Sequence, residues 1–403
     1  MSAPGPEQIL DAEHTTRESG ASIDAVPVEW TLRPGSPDAV ARCLEGARRA
    51  GRAVVAWGAG TKQAGLNPLA ASSVWRVDLR RLDRILDLDA DEGVVVAQAG
   101  VPVAALDAAA RGAGKRLGLG TVGPPAATLG GTFSADPLVP EAALDRRPAY
   151  EALGVEAALC DGSLARAGGR VVKNVTGFDL VRLYAGSFGT LGVVTELALR
   201  LRPAPEAREV LDLALPDLQA AIACGHDLRL ARALPEGLAV LPVRRGEATV
   251  RVLLEGSRAD VAARAAKLGG ERRPESAWAA LAEPLWRAPA SGATRLRLAG
   301  RPSDTGEIGA AIETRAGRES VRLAFPAAGI ALAEVCDPAT VEDLWQLAAS
   351  RDWALRIEDA PLELRRKLDV FGPEPQALPL MRLLKRRFDP ERTLAPGRFV
   401  GRL

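Results

Sequence analysis

The sequence predicts an α+β protein with more than one folding unit, and three observations carry that prediction. The chain has 403 residues, beyond the roughly 250–300 at which a single hydrophobic core stops growing. Its first half holds glycine-dense segments set against β-branched runs, the longest reading GGRVVKNVTGFDLVRLYAGSFGTLGVVTELALRLRP from Gly168 to Pro203. Its second half repeats one alternation of strand and helix patterns.

Taken in order, residues 1–25 are polar and without periodicity and are read as a loosely held N-terminal extension. Ser36 and Pro37 then offer an N-cap and a proline at the first helical position. Val40, Cys43, Leu44 and Ala47 follow at helical spacing, and Gly51 stops the helix. A short strand, Ala53 to Trp57, empties into Gly58, Ala59, Gly60, Thr61 and Lys62. Glycines there would admit phosphate oxygens, although a plain tight turn explains them equally well. Val74 to Asp78, Arg84 to Leu88 and Val94 to Ala99 read as strands, and Val103 to Arg111 as a helix closed by Gly112 and Gly114. A second glycine loop runs through Thr128, Leu129, Gly130, Gly131 and Thr132. Gly154 to Cys160 and Leu164 to Ala167 flank Asp161 and Gly162, a hairpin signal. Val193 to Arg202 closes this half as a strand ended by Pro203.

From Glu209 the pattern becomes β-α-β-β-α: Val210 to Leu215, Leu218 to Cys224, Leu238 to Val243, Ala248 to Leu254 and Ala259 to Leu268. It recurs at Thr294 to Leu298, Thr305 to Thr314, Val321 to Phe325, Ile330 to Val335 and Val341 to Ala349, with a closing strand at Trp353 to Ile357. Two split β-α-β units sharing one antiparallel sheet account for this order. Ala377, Leu380, Met381, Leu384 and Phe388 form one stripe of a final amphipathic helix that should dock on a core.

Composition excludes several function classes. Lys and Arg number 52 against 51 Asp and Glu, so the charge footprint of a dedicated nucleic-acid binder is missing. Cys43, Cys160, Cys224 and Cys336 are far apart and form no CxxC pair, which leaves a metal or iron–sulfur site without local support. No apolar run reaches the ~18 residues of a membrane span, and the N-terminus lacks a signal-peptide pattern. A cytoplasmic protein without a membrane span is expected. The density of Gly177, Gly186, Gly189 and Gly192 around Lys173 and Asn174 points to backbone N–H groups approaching a bulky polar ligand, that is, a cofactor cradle.

The segment VVKNVTGFDLVRLYAGSFGTLGVVTELALRLRP resembles the flavin-binding core of the vanillyl-alcohol-oxidase, or PCMH, type of FAD proteins, where a KNVAGYDL-like stretch precedes GSxGTLGVITE. Within that superfamily it is most similar to the FAD-binding subunits of bacterial glycolate oxidases. The Gly58 to Lys62 loop, ATLGG at Ala127 to Gly131 and the C-terminal FDPERTLAPGRF agree in order and spacing. The resemblance implies an α+β fold: a PCMH-type two-subdomain FAD-binding domain at 26–207, a ferredoxin-like cap domain at 208–369, and a C-terminal segment at 370–403 whose helix returns to the FAD domain. It further implies noncovalent FAD. Backbone of Gly58, Ala59, Gly60, Thr61 and Lys62 would hold the pyrophosphate. Thr128, Gly130, Gly131 and Thr132 would lie along pyrophosphate and isoalloxazine, and Gly189, Gly192, Val193 and Val194 would close over flavin and adenine. Lys173, Asn174, Gly177 and Asp179 would shape the bed.

Departures from the pattern fall near the expected flavin ring. Ala135 and Asp136 replace a small or amide residue followed by glycine, so the Asp136 carboxylate must point away from the pyrophosphate or find a cation. Ala149 and Tyr150 stand where relatives carry Arg-Asp, and Ala395 replaces the Asn of an Asn-Pro-Gly-Arg ending. Oxidation of a 2-hydroxy acid needs a proton acceptor, yet the only histidines are His14, in the extension, and His226, read as a helix-end surface residue. The resemblance therefore implies a subunit of a glycolate-oxidase-like complex with a sister FAD-linked subunit and an iron–sulfur subunit. It takes part in flavin electron transfer while the sister oxidises a small 2-hydroxy acid. The alternative is a non-catalytic structural subunit that has lost flavin. No catalytic residue is assigned.

Overall fold

The computed structural model describes residues 5–120, 123–141, 147–170, 178–231, 235–242, 247–290 and 292–403. The chain divides into two compact units: Met1–Pro137, Arg147–Ala204 and Glu374–Leu403 make the first, Leu138–Arg146 and Pro205–Pro373 the second. Among the described residues no helix is long and apolar enough to cross a membrane.

The first unit contains two sheets. In one, the strands Val26–Leu32, Val74–Asp78 and Ala53–Trp57 lie parallel, in that spatial order. Parallel neighbours need a crossover, and the helix Pro37–Arg49 supplies it. Its start is set by Ser36, whose hydroxyl accepts from the Ala39 N–H at 3.2 Å, and by Pro37. The other sheet is antiparallel, ordered Leu164–Gly168, Ala152–Ala158, Val193–Pro203, Val94–Gln98 and Ile85–Asp89, with Lys115–Leu117 on the far end of the long strand. Leu32, Val40, Leu44, Val54, Trp75 and Val77 form one core cluster with Ala158, Cys160 and Val193, so the apolar face of the helix is buried between the sheets.

Residues 5–25, expected to be a loosely held extension, are tied down instead. Thr15–Arg17 pairs with Val26–Leu32, Ser22–Ile23 pairs with the start of the same strand, and Ile9 reaches the core beside Gly46. The pairing segments are two and three residues long, too short for any period to show in sequence.

The second unit has an eight-stranded antiparallel sheet, ordered Glu271–Arg273, Ala207–Leu215, Ala248–Gly256, Gly237–Pro242, Val321–Phe325, Ile330–Val335, Thr294–Ala299 and Ala354–Asp359. The two halves mirror one another across the Val240 to Ala324 pairing. The first half, which the sequence left one strand short, is completed by the exposed edge strand Glu271–Arg273. Helices Leu218–Leu230, Arg258–Leu268, Thr305–Ala316 and Pro338–Arg351 bury one face around Val250, Leu296, Ile308 and Leu344. On the other face Trp278 packs over Ala239, Leu253 and Phe325, and its Nε1–H donates to Glu141 Oε1 at 3.0 Å.

The final helix, Leu378–Phe388, belongs to the first unit. Its buried side departs from the expected stripe, because Leu380 is 58% exposed and Lys385 only 4%.

Candidate cofactor-binding site

A cleft opens in the first unit at the carboxyl end of strand Ala53–Trp57. Gly58, Ala59, Gly60, Thr61 and Lys62 form one wall. Thr128, Gly130, Gly131, Thr132, Ser134 and Ala135 form a second, and Phe188, Gly189, Val193 and Val194 a third. The second glycine loop is in fact a helix, Leu129–Ala135, N-capped by the Thr128 hydroxyl. Seven residues holding two glycines show no helical period, which hid it from sequence.

An account of the backbone donors separates the walls. The N–H groups of Gly58, Ala59, Gly60 and Thr61 donate to no protein acceptor among the described residues. In the second wall Gly130 N–H donates to Ala99 O at 2.8 Å and Gly131 N–H to Thr128 Oγ1 at 3.3 Å. These donors are committed, so this wall offers hydroxyls and close backbone instead. Thr132 is 1% exposed and its Oγ1 has no partner among the described residues. A buried hydroxyl left unpaired costs about 1–3 kcal/mol, and a polar ligand in the cleft would recover that. Glycine is required here for contact as well as donors. A Cβ on Gly58 would stand 2.2 Å from Thr128 Oγ1, and one on Gly60, at φ +72°, 2.4 Å from Trp57 Cζ2.

Of the residues picked from sequence, Gly58, Ala59, Gly60, Thr61, Lys62, Thr128, Gly130, Gly131, Thr132, Gly189, Val193 and Val194 meet around this cleft. Gly192 does not line it. Its α-carbon packs against Tyr184 and Ala158, where a Cβ would come within 3.1 and 3.2 Å. Asp179 stands at the start of helix Leu180–Tyr184 and accepts from the Arg182 N–H at 3.1 Å, which makes it a helix cap. Lys173, Asn174 and Gly177 lie outside the described residues. Trp57, Gln63 and Phe188 line the cleft without having been picked. Phe188 had a signal, since it sits inside the glycine motif directly before Gly189.

None of Asp136, Ala149, Tyr150 or Ala395 lines the cleft. Asp136 ends the helix Leu129–Ala135 in a left-handed conformation, φ +42°, and its carboxylate accepts from the Arg147 guanidinium and from the Ala149 N–H at 3.1 Å. The cation its charge demands is thus provided. Ala395 is buried, and its N–H donates to Val54 O at 2.8 Å. Tyr150 carries the Arg182 guanidinium 4.7 Å from its ring centroid. His14 lies near Asp11 and Glu13, and His226 sits half-buried on helix Leu218–Leu230 of the second unit. No histidine or cysteine is among the described lining residues of the cleft.

Residues 28–168 match the family model of the FAD binding domain. An uncharacterized FAD-linked oxidoreductase of Mycobacterium tuberculosis is 33% identical over 177 residues, 43% of this chain and 38% of that protein. Glycolate oxidase subunit GlcE of Escherichia coli is 31% identical over 213 residues, 51% of this chain and 58% of its own length. The matches thus span less than two thirds of either relative. Among solved structures, p-cresol methylhydroxylase with substrate bound aligns with a TM-score of 0.73 at 14% identity, over 98% of this chain and 95% of that one. The fold is similar to that of p-cresol methylhydroxylase, and residues 28–168 carry an FAD-binding domain whose cofactor is FAD.

Proposed function

We propose that this chain is the FAD-binding subunit of a 2-hydroxy acid dehydrogenase complex of the glycolate oxidase kind, and that it holds FAD noncovalently in the cleft. The observation that carries this reading is the run of N–H groups from Gly58 to Thr61 that have no acceptor among the described residues, at the mouth of a cleft that also holds the Thr132 hydroxyl, likewise without a partner among them. A dianionic pyrophosphate needs converging donors, and this loop supplies them in sequence. Lys62, on the same wall, adds positive charge. Val193, Val194 and Leu79 offer apolar surface for a flat ring system. The absence of a nucleophilic cysteine or histidine from the described lining supports noncovalent attachment.

Bound FAD supplies the electron acceptor for oxidation of the substrate. The residues of this chain position it and exclude water around it. The likeness to a glycolate oxidase subunit, GlcE, supports a multi-subunit complex; in our proposal that complex also holds a sister FAD-linked subunit, on which oxidation of the small 2-hydroxy acid is centred, and an iron–sulfur subunit. The lack of a histidine base in the cleft fits that division.

The test is an absorption spectrum of purified protein. Bands near ~370 and ~450 nm that pass into the supernatant on acid precipitation are expected for noncovalent flavin. Colourless protein that takes up no FAD would overturn the reading in favour of a flavin-free structural subunit. Anaerobic addition of glycolate or lactate to the FAD-loaded chain, alone and with copurified partners, tests the division of labour. Bleaching of the isolated chain would move substrate oxidation onto it.

A further inference from the structure

We propose that Lys385 and Arg398, far from the glycine motifs in sequence, are positioning residues of the FAD cradle, fixing the first and third walls of the cleft from behind. The inference rests on the reading of the cleft as an FAD site.

Lys385 is 4% exposed, and each of its ammonium protons has an acceptor: Thr190 O at 2.8 Å, Asp389 Oδ2 at 2.6 Å and Leu394 O at 2.8 Å. Thr190 follows Phe188 and Gly189, which line the third wall. Asp389 is fully buried. It accepts the N–H groups of Thr393 at 2.9 Å and Leu394 at 2.8 Å, so the pair gathers helix, tail and third wall at one point. Burial presses the Lys385 ammonium below its ordinary range, opposed by Asp389. A buried pair of this kind is weak as a source of net stability but exacting about geometry.

The tail continues the hold. Thr393 O accepts from Val54 N–H at 2.7 Å and Ala395 N–H donates to Val54 O at 2.8 Å, so this segment runs beside the strand that delivers Gly58. Arg398 is 1% exposed. It pairs with Asp24 at 2.9 Å and donates to Gln63 O at 3.0 Å and Gln63 Oε1 at 2.9 Å. The first glycine loop is thereby gripped at both ends, by the tail at Val54 and by Arg398 at Gln63. Neither Lys385 nor Arg398 lines the cleft, so they act through the loops.

The experiment compares FAD titrations of the wild type, Lys385→Met, Lys385→Met with Asp389→Asn, Arg398→Met and the control Arg386→Ala on the exposed side of the same helix. Flavin fluorescence gives the dissociation constant, and visible circular dichroism of bound flavin gives its setting. Lys385→Met and Arg398→Met should weaken FAD by about tenfold or more and change the dichroism, the control leaving both unchanged; each tenfold is a modest fraction of the interactions removed. The double variant avoids a buried unpaired carboxylate, so it should fold better than Lys385→Met alone while still binding FAD weakly. Amide exchange of the wild type gives a second reading that needs no variant. Coupling is reciprocal, so FAD should slow exchange at Val54 and Ala395, on the order of tenfold. Folded variants with wild-type affinity and dichroism, or unchanged exchange at both amides with FAD bound, would overturn the proposal. Failure of the wild type to bind FAD would instead sink the reading of the cleft.

Discussion

Substituting Gly58 by Ala places a methyl 2.2 Å from Thr128 Oγ1 and 3.2 Å from both Thr128 Cβ and Cγ2. Real contacts of a methyl never reach the first distance, so the threonine must rotate or the loop must move. Rotation breaks the cap that Thr128 Oγ1 makes to the Gly131 N–H at 3.3 Å, a loss of about 1 kcal/mol. Overpacking at a tight backbone crossing adds about 1–3 kcal/mol, giving about 2–4 kcal/mol for Gly58→Ala. Thr128→Ala alone should cost only the cap, about 1 kcal/mol. In the double variant the atom responsible for the clash is gone and the cap has already been counted, so the pair should cost about 1–2 kcal/mol. The assay is urea denaturation of each protein, following the transition that FAD addition shifts, since a ligand stabilises only the unit that binds it. The physical content lies in the coupling. If the single effects add within about 0.5 kcal/mol, the two loops do not meet as described and the reasoning fails.

Three further outcomes follow from the structure. Arg147→Ala leaves the buried Asp136 carboxylate with the Ala149 N–H as its remaining hydrogen bond among the described residues; because Arg147 is 58% exposed on its side chain, screening limits the effect to about 1 kcal/mol. FAD affinity should drop roughly fivefold, and adding Asp136→Asn should restore it. Trp278→Ala empties a site that is 1% exposed and should lower unfolding stability by about 3–5 kcal/mol, while Trp278→Phe should cost less and remove only the bond to Glu141 together with part of the ring. A Trp278→Ala protein with unaltered urea midpoint would show that this face of the sheet is not packed. The thiols should separate cleanly: Cys336 is exposed and should label at once with a disulfide reagent, whereas buried Cys43 and Cys160 should resist until unfolding. Burial pushes the Cys43 thiol up from 9.0 to about 12 and the Cys160 thiol up from 9.0 to about 11. Between those values the folded chain keeps protons that the unfolded chain gives up, so stability should be full below pH 9.0 and fall as pH climbs through that window. A urea midpoint that rises across it would contradict the burial.

Much of the site was legible because glycine is legible. Gly58, Gly60, Gly130 and Gly189 stand where backbone must pass close to another atom or adopt positive φ, and such positions leave a compositional mark in the chain. The helix Pro37–Arg49 was readable for a similar reason, its cap, proline and apolar spacing all agreeing. For Asp179 and Gly192 the structure adds a local role that motif membership does not show, a helix cap at one and room for the Tyr184 ring at the other.

Sequence by itself determined the class of each half, the doubled strand and helix order of the second unit, and the segments from which a cofactor cradle is built. Those properties are local, resting on period, caps and backbone permission within a dozen residues. Only the tertiary structure decided which donors in the cradle are free. Gly130 N–H is spent on Ala99 O while those of Gly58 to Thr61 have no acceptor among the described residues, and hydrogen bonding between distant strands cannot be read from composition. It also decided the role of the last turn of chain. A lysine within an apolar stripe looks like a solvated residue, and Lys385 became the best-buried cation of its helix because Thr190 O, from a segment far back in the chain, meets it together with the nearby Asp389 and Leu394 O. Burial of a charge depends on partners brought from far along the chain, and that information exists only once the chain is folded.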